Sequence, residues 1–166
     1  MPKIISSESP EIEFRTRPVK GVSLYIGEDV IIAMTDHADE GYKDNREILG
    51  LLTGQILKDD EGVYVRVLDS ATSALDADDV SVKFKEEALE DLFSSIDDCE
   101  GDKVVGWYHS HLGIGCFLSE VDVRTHIGIF GGEVGFAIVI DPSDETLAAF
   151  SCDKDGQKKV PMIVLS

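Results

Sequence analysis

The sequence is poor in cysteine and in positive charge, and it contains no long run of apolar residues. Its three cysteines, Cys99, Cys116 and Cys152, lie far apart and form no CxxC pair, so we expect no disulfide framework and a reducing compartment. The 15 basic residues face 33 acidic ones, giving a formal net charge of −18, so the chain should repel nucleic acid. No apolar run approaches a membrane span, and the first residues do not resemble a secretory signal. We therefore expect a cytoplasmic protein with no membrane partner.

What the sequence does contain is enough apolar side chain for one hydrophobic core. Hydrophobic residues make up 43% of the 166 positions, which excludes a compositionally disordered chain and fits a single domain. Residues 1–17 mix Ser, Pro, Glu and Arg without periodicity, and they are predicted to be a flexible N-terminal arm. Residues 18–166 are predicted to form one folded domain.

The hydrophobic patterns predict an α/β (α+β mixed) fold, with a mixed sheet flanked by about three helices. The predicted helices span residues 30–42 with Asp29 as N-cap, 84–96, and 119 to about 130. Strands are predicted at 19–26, 48–56, 63–69, 103–109, 134–140, 146–151 and 160–165. The segment 58–62 (KDDEG) is predicted as a hairpin turn, 70–79 as a loop insertion, and 153–159 (DKDGQKK) as the separator of the last two strands.

Two histidines stand two positions apart at the end of a predicted strand, in the run KVVGWYHSHLGIGCFLSEVDVRTH that begins at residue 103. Strand side chains alternate between faces, so His109 and His111 should point the same way and Ser110 the opposite way. After a Gly-rich turn, Ser119 opens a predicted helix and Asp122 follows in its first turn. The carboxylate of Asp122 can then reach back towards the two imidazoles.

Two nitrogens and one oxygen, with a fourth position left to water, are typical of a catalytic zinc site. A structural zinc site would fill the fourth position and usually contains thiolate, whereas Mg²⁺ or Ca²⁺ would need more oxygen ligands. Bound zinc lowers the pKa of water to ~7, which makes hydroxide available at neutral pH.

The spacing HSH, seven residues, Ser, two residues, Asp resembles the signature of the JAMM/MPN+ (JAB1/MPN/Mov34) zinc metalloproteases. The flanking GWYHSH and GCFLS are most similar to the branch with the deubiquitinating subunit of the proteasome lid and the deneddylating subunit of the COP9 signalosome. Upstream, REILGLLTGQ resembles the family's strand with a catalytic Glu, here Glu47. Residues 70–84 (SATSALDADDVSVKF) resemble the family's first insertion. Leu112 replaces the Pro that usually follows the second His.

The resemblance implies a single MPN domain of the cytidine-deaminase-like fold, with residues 18–166 as the MPN+/JAMM catalytic domain. It implies one Zn²⁺ per chain held by His109, His111 and Asp122, with Glu47 as general base and then general acid, and Ser119 as hydrogen-bond donor to the oxyanion. The implied reaction hydrolyses the isopeptide bond between a ubiquitin-like C-terminus and a lysine, as in a deubiquitinase. The implied partners are ubiquitin or ubiquitin-like conjugates, and the proteasome or a related assembly.

Other interpretations of the two catalytic candidates stay open. Ser119 can be only the N-cap of its helix, or it can be both cap and oxyanion donor. Glu47 can be a solvated carboxylate at a strand edge.

Three neighbouring residues are possible supporting or groove residues. Cys116 could be a thiolate nucleophile, but a small packed residue is the favoured interpretation, because the imidazoles are better used on metal. His126 could orient Asp122, although an ordinary histidine on the polar helix face is favoured. Trp107 reads as core and strand support, with substrate-groove lining as the alternative.

Two alternative functions also remain open. One is a non-catalytic MPN scaffold or binding module, whose members have lost metal ligands. The other is a JAMM hydrolase acting on a small molecule or a sulfur-carrier adduct.

Overall fold

Nine strands and two helices make up the part of the chain that the computed structural model describes, which is residues 3–5, 16–72, 103–153 and 156–166. The elements are β1 (Lys3–Ile5), β2 (Leu24–Gly27), α1 (Glu28–Lys43), β3 (Leu49–Asp59), β4 (Gly62–Thr72), β5 (Lys103–Ser110), α2 (Glu120–Phe130), β6 (Phe136–Asp141), β7 (Thr146–Asp153), β8 (Gly156–Val160) and β9 (Ile163–Leu165). All strands belong to one sheet, in the order β1-β9-β2-β4-β3-β5-β6-β7-β8. Parallel and antiparallel pairs both occur in it, which confirms the predicted mixed α/β fold.

Strand β5 lies in the middle of this sheet, antiparallel to β3 and parallel to β6. Its residues from Val105 to Ser110 are all buried. Trp107 packs in a core cluster with Phe130 of α2, and Tyr108 packs in a second cluster with Met34 of α1. The two helices therefore cover opposite faces of the sheet, and the neighbouring side chains of Trp107 and Tyr108 are buried on opposite faces.

Helix α1 forms because Val30, Met34 and Ala38 recur at a spacing of four residues, which gives one apolar stripe against the sheet. Full burial of a Val or Met side chain contributes about 1.5–3 kcal/mol. The predicted N-cap was wrong. The helix begins at Glu28 with Gly27 as its cap, and Glu28 and Asp29 both lie in the first turn, where carboxylates interact favourably with the helix dipole.

Strands β3 and β4 form the predicted hairpin, with Asp59 opposite Gly62 and only residues 60–61 in the turn. Both strands are longer than the sequence pattern indicates. Gly50 is required in β3, because a Cβ there would overlap the ring of Tyr108 on β5. The absence of a side chain at this position leaves room for the Tyr108 ring on that face of the sheet.

Arg17 fastens the segment before β2 to this hairpin. Its guanidinium donates hydrogen bonds to both carboxylate oxygens of Asp59, at 2.9–3.2 Å, and to the carbonyl of Gly62 at 3.1 Å. It also lies 5.2 Å from the centre of the Tyr64 ring. The ion pair is shielded, since the Arg17 and Asp59 side chains are only 5% and 9% exposed.

The pair predicts a pH dependence of stability that Asp59→Asn should remove. The hydrogen bond from Arg17 lowers the pKa of Asp59 from 3.8 to about 2. A carboxyl whose pKa is lower in the folded state stabilises the fold above pH 4, and this contribution is lost as the pH falls towards 2. We expect urea titrations to give a difference between wild type and Asp59→Asn that shrinks over this range. Asp60→Asn, in the exposed turn, is the matched control, and an equal pH profile for both variants would contradict the assignment.

Strand β8 was not predicted from the sequence. Residues 156–160 pair with β7 in antiparallel register, from Asp153–Gly156 to Ala149–Val160. The segment resembles a loop in sequence because its first four residues, Gly156 to Lys159, are all exposed and polar. An outer strand needs no apolar face when it lies beside a single neighbour, so the pattern carries no signal for it.

Other predictions fall partly outside the described residues. The predicted helix 84–96 and most of the predicted insertion 70–84 lie there, while residues 70–72 belong to β4. In the predicted flexible arm, residues 3–5 form β1 beside β9, and the domain boundaries stay a prediction. Among the described residues, no helix is both long enough and apolar enough to cross a membrane.

Candidate metal centre

Three buried side chains converge at the end of β5. The Nε2 atom of His109 lies 3.2 Å from Nε2 of His111 and 2.9 Å from Oδ2 of Asp122. The third edge of the triangle, from Nε2 of His111 to Oδ2 of Asp122, is 3.3 Å. His109 and His111 are 2% exposed and Asp122 is fully buried, so the three atoms meet away from bulk water.

This triangle fits a divalent cation. Ligands bound at about 2.0–2.1 Å with tetrahedral angles lie about 3.3 Å apart, which is close to all three observed separations. A single His–Asp hydrogen bond would bring together two atoms, whereas here three atoms face one point. Two imidazole nitrogens and one carboxylate oxygen form a donor set that leaves one position of a tetrahedral ion open.

The β3–β5–β6 pairing aims the two histidines. His109 lies on β5, and His111 follows one residue after its end, with its backbone N–H donating to the carbonyl of Ile140 on β6 at 2.9 Å. Between them, Ser110 faces the other way, and its hydroxyl accepts the N–H of Ile48 at 2.8 Å. The predicted alternation is confirmed. The serine hydroxyl replaces a carbonyl in the ladder and extends the pairing to Ile48, just before the first residue of β3.

The start of α2 aims the carboxylate. Ser119 is the N-cap, and its hydroxyl accepts the N–H of Asp122 at 3.2 Å, while Oδ2 of Asp122 accepts the N–H of Ser119 at 3.0 Å. This capping box was one of the open interpretations of Ser119, and it is present. The oxygen that closes the box is the same one that faces both imidazoles.

The tautomer of His111 is set by its second ring nitrogen. Nδ1 lies 2.7 Å from the carbonyl oxygen of Gly115, which can only accept, so Nδ1 carries a hydrogen, and in the neutral ring the lone pair of Nε2 is directed at the cluster. Burial opposes charge on this ring, but the protonated ring donates hydrogen bonds to Asp122 and to Gly115, and these contacts outweigh burial and raise the pKa of His111. The charge of Glu47 acts in the same direction.

Glu47 lies across from the histidines. Leu49 is the partner of His109 in the β3–β5 register, and the same register two residues further along places Glu47 opposite His111. Residues directly opposite on antiparallel strands point to the same face. The half-buried Glu47 side chain therefore lies on the face of the cluster, and its charge acts on His111. Its catalytic role stays a prediction.

Behind the cluster, Trp107 and His126 form a buried pair. The Trp107 ring stacks on that of His109, with centroids 4.7 Å apart and planes 12° apart, and its indole N–H donates to Nδ1 of His126 at 3.0 Å. The polar-face interpretation of His126 was wrong, because this residue is 2% exposed on the inner side of α2. Burial lowers the pKa of His126 to about 4, so it is neutral at pH 7. Trp107 is core, as predicted, and not a rim residue.

Cys116 lies in the turn between His111 and α2, half-buried, with its sulfur 3.3 Å from the hydroxyl of Thr146. It packs against the core cluster that contains Trp107, which fits the favoured interpretation of a small packed residue. Phe117, the next residue, lies with its ring centre 4.9 Å from that of His111.

Two supporting residues, Asp141 and Gln157, were not predicted from the sequence. Asp141, the last residue of β6, is fully buried and accepts the N–H groups of Gly113 and Gly115 at 3.0 and 2.7 Å. The side-chain amide of Gln157 on β8 accepts a hydrogen bond from the backbone N–H of Leu118 at 3.2 Å and donates one to the carbonyl of Leu118 at 2.9 Å. These contacts join residues 26–39 positions apart, and no local pattern in the sequence connects them.

The fold and the site define a JAB/MPN-type protein, and comparison with known families agrees. A sequence model described as "JAB1/Mov34/MPN/PAD-1 ubiquitin protease" matches residues 20–129, and the chain belongs to this family. It is 40% identical over 117 residues to COP9 signalosome complex subunit 5 of Caenorhabditis elegans, and 36% identical over 135 residues to that of Aspergillus fumigatus. These alignments include 68% and 79% of this chain but only 30% and 38% of the relatives, so the chain spans about a third of their length.

A solved structure supports the fold alone. The solution structure of protein DSY2949 from Desulfitobacterium hafniense superposes with a TM-score of 0.60 at 19% sequence identity. The superposition includes 85% of this chain and 92% of that one.

Proposed function

We propose that this chain is a zinc-dependent isopeptidase, which hydrolyses the bond between the C-terminus of ubiquitin or a ubiquitin-like modifier and a substrate lysine. One Zn²⁺ per chain would be held by His109, His111 and Asp122. The observation that carries the proposal is the convergence of these three ligand atoms within 3.3 Å of one another, with the carboxylate of Glu47 across from them, two residues before β3.

Zinc bound there would supply a Lewis acid and lower the pKa of its water towards ~7. Glu47 has the role of proton carrier: its carboxylate accepts the proton of the attacking water and later donates it to the departing lysine amine. Ser119 uses a lone pair of its hydroxyl for the helix cap, so its O–H hydrogen can be donated to the carbonyl oxygen of the scissile bond. The reaction needs no acyl-enzyme, and Cys116 has no part in it.

The family membership and the relatives favour a modifier-processing role within an assembly. Because the relatives are named as COP9 signalosome subunits, we infer a signalosome-like assembly in preference to the proteasome. Nucleic acid is not proposed as a partner of a chain with net charge −18. The cytoplasmic location stays a prediction based on the cysteines.

The experiment measures metal content and cleavage on one preparation. Zinc is quantified by mass spectrometry, and lysine-linked conjugates of ubiquitin and of ubiquitin-like modifiers are incubated with the chain, with and without a strong chelator. We expect about one zinc per chain, cleavage that the chelator abolishes, and recovery when zinc is added back. Fusions with the same modifier joined through an α-amine serve as matched substrates for isopeptide selectivity.

Two outcomes would contradict the proposal. A folded chain that holds no zinc and cleaves no conjugate would favour a scaffold module. Cleavage that continues in the chelator would require a nucleophile other than metal-activated water.

A further inference from the structure

The turn between His111 and α2 is fastened to the end of β6 by a single carboxylate. Oδ2 of Asp141 accepts the N–H of Gly115 at 2.7 Å, and Oδ1 accepts the N–H of Gly113 at 3.0 Å. Ser143 adds its own N–H and hydroxyl to Oδ1, at 3.1 and 2.6 Å. Four donors thus converge on one fully buried acceptor, which satisfies the need of a buried charge for hydrogen bonds.

The two glycines make this arrangement possible. Gly113 and Gly115 have φ values of +85° and +87°, a backbone conformation that residues with a Cβ rarely adopt. With these angles at alternate positions, both N–H groups are directed at the same carboxylate. The turn is therefore shaped around Asp141 and does more than reverse the chain.

The same turn controls a proposed metal ligand. The carbonyl of Gly115 accepts from Nδ1 of His111 at 2.7 Å, and the backbone N–H of His111 donates to Ile140, the residue before Asp141. The backbone of His111 is thus held directly by Ile140, and its ring is held through Gly115 by Asp141, so both depend on the last two residues of β6. An imidazole without such a partner can carry its hydrogen on either nitrogen, and the wrong tautomer would direct an N–H at the cation position.

We infer that Asp141 is a positioning residue for the metal centre: it fixes Gly115, and the Gly115 carbonyl selects the His111 tautomer whose Nε2 lone pair faces the metal. The metal-binding part of this inference rests on the proposed function, whereas the tautomer can be tested in metal-free protein. Partners of metal-bound histidines typically change metal affinity by about 10- to 100-fold when they are removed. Asp141 acts through Gly115, so we expect the lower end of this range.

The test compares wild type with Asp141→Asn and Ser143→Ala. Asparagine keeps the shape of the side chain but replaces one acceptor oxygen by a donor that would face a glycine N–H. Ser143→Ala removes one donor to Oδ1 and leaves both glycine contacts intact, so it is the matched control. Nitrogen NMR shifts of His111 at pH 8 in metal-free protein report the tautomer, and competition with a chromophoric chelator reports zinc affinity.

We expect the Nδ1–H tautomer in wild type and in Ser143→Ala, with zinc affinities within about twofold of each other. Asp141→Asn should show a mixture of tautomers and zinc binding weaker by about 10-fold. An unchanged tautomer in a folded Asp141→Asn chain would overturn the inference, whatever happens to its melting temperature. A changed tautomer with unchanged zinc affinity would overturn the role in metal binding.

If Asp141→Asn does not fold, the His111 tautomer measured in metal-free wild type is the test. Metal-free wild type with the hydrogen of His111 mainly on Nε2 would contradict the inference directly. A wild-type chain that shows the expected tautomer and binds no zinc would instead reject the proposed function, so the two failures are distinguishable.

Discussion

Replacing Glu47 with glutamine is expected to lower the rate of isopeptide cleavage by about 100- to 10,000-fold, the usual contribution of a positioned general acid and base. The amide of glutamine has nearly the same shape but cannot accept a proton from water or return it to the leaving amine. Glu47 is only half-buried and is not one of the three converging ligands, so we expect the variant to fold and to retain zinc. Single-turnover cleavage and zinc content, measured on the same sample, check both statements.

Glu40→Gln is the matched control for this variant, because Glu40 is exposed on α1, away from the cluster. It should cleave at the wild-type rate. If Glu47→Gln also cleaved at that rate while retaining zinc, Glu47 would be a solvated carboxylate and another group would have to move the proton.

The buried His126 predicts a stability change in the mildly acidic range. Burial lowers its pKa from 6.5 to about 4, so between these values the unfolded chain binds a proton that the folded chain does not. The contribution of His126 to the free energy of unfolding therefore falls as the pH falls from 6.5 to 4, and it does not change with pH above or below this range. At 1.36 kcal/mol per unit, this single ring makes the fold about 3 kcal/mol less stable at pH 4 than at pH 7.

The variant His126→Gln should flatten this dependence. Glutamine provides an acceptor for the indole N–H of Trp107 and does not titrate, so the free energy of unfolding of the variant should change less between pH 7 and pH 4. Denaturant titrations on metal-free samples of both chains give the difference, since His109, His111 and Asp122 are common to them. Parallel pH curves would show that His126 is protonated inside the fold.

The convergence of His109, His111 and Asp122 could be predicted from the sequence because their geometry is local. Strand alternation places His109 and His111 on one face, and the first turn of a helix limits where Asp122 can reach. Capping chemistry places Ser119 in the same way. The core of the fold could also be predicted, since apolar residues recur in β3, β5 and α1 at the spacings expected for strands and helices.

The residues that support the cluster could not be predicted from the sequence, because their roles depend on contacts between distant segments. His126 lies on a helix of mixed composition, and its burial follows from Trp107, which is 19 residues earlier in the chain. The sequence indicates only that Asp141 ends a strand. Its hydrogen bonds to Gly113 and Gly115 form only when the turn that contains these glycines folds over it. Strand β8 carries no apolar face, so period-2 patterning could not detect it.

Oδ2 of Asp122 accepts a hydrogen bond from the N-cap of α2 and also faces the two imidazoles. These two contacts of one atom limit which substitutions can remove the cluster without disturbing the fold. A change at Asp122 disturbs a helix start as well as a ligand, whereas the histidines take no part in capping that helix. For tests of the proposed activity, an inactive yet well-folded chain is therefore more accessible through Glu47 or the histidines than through the aspartate.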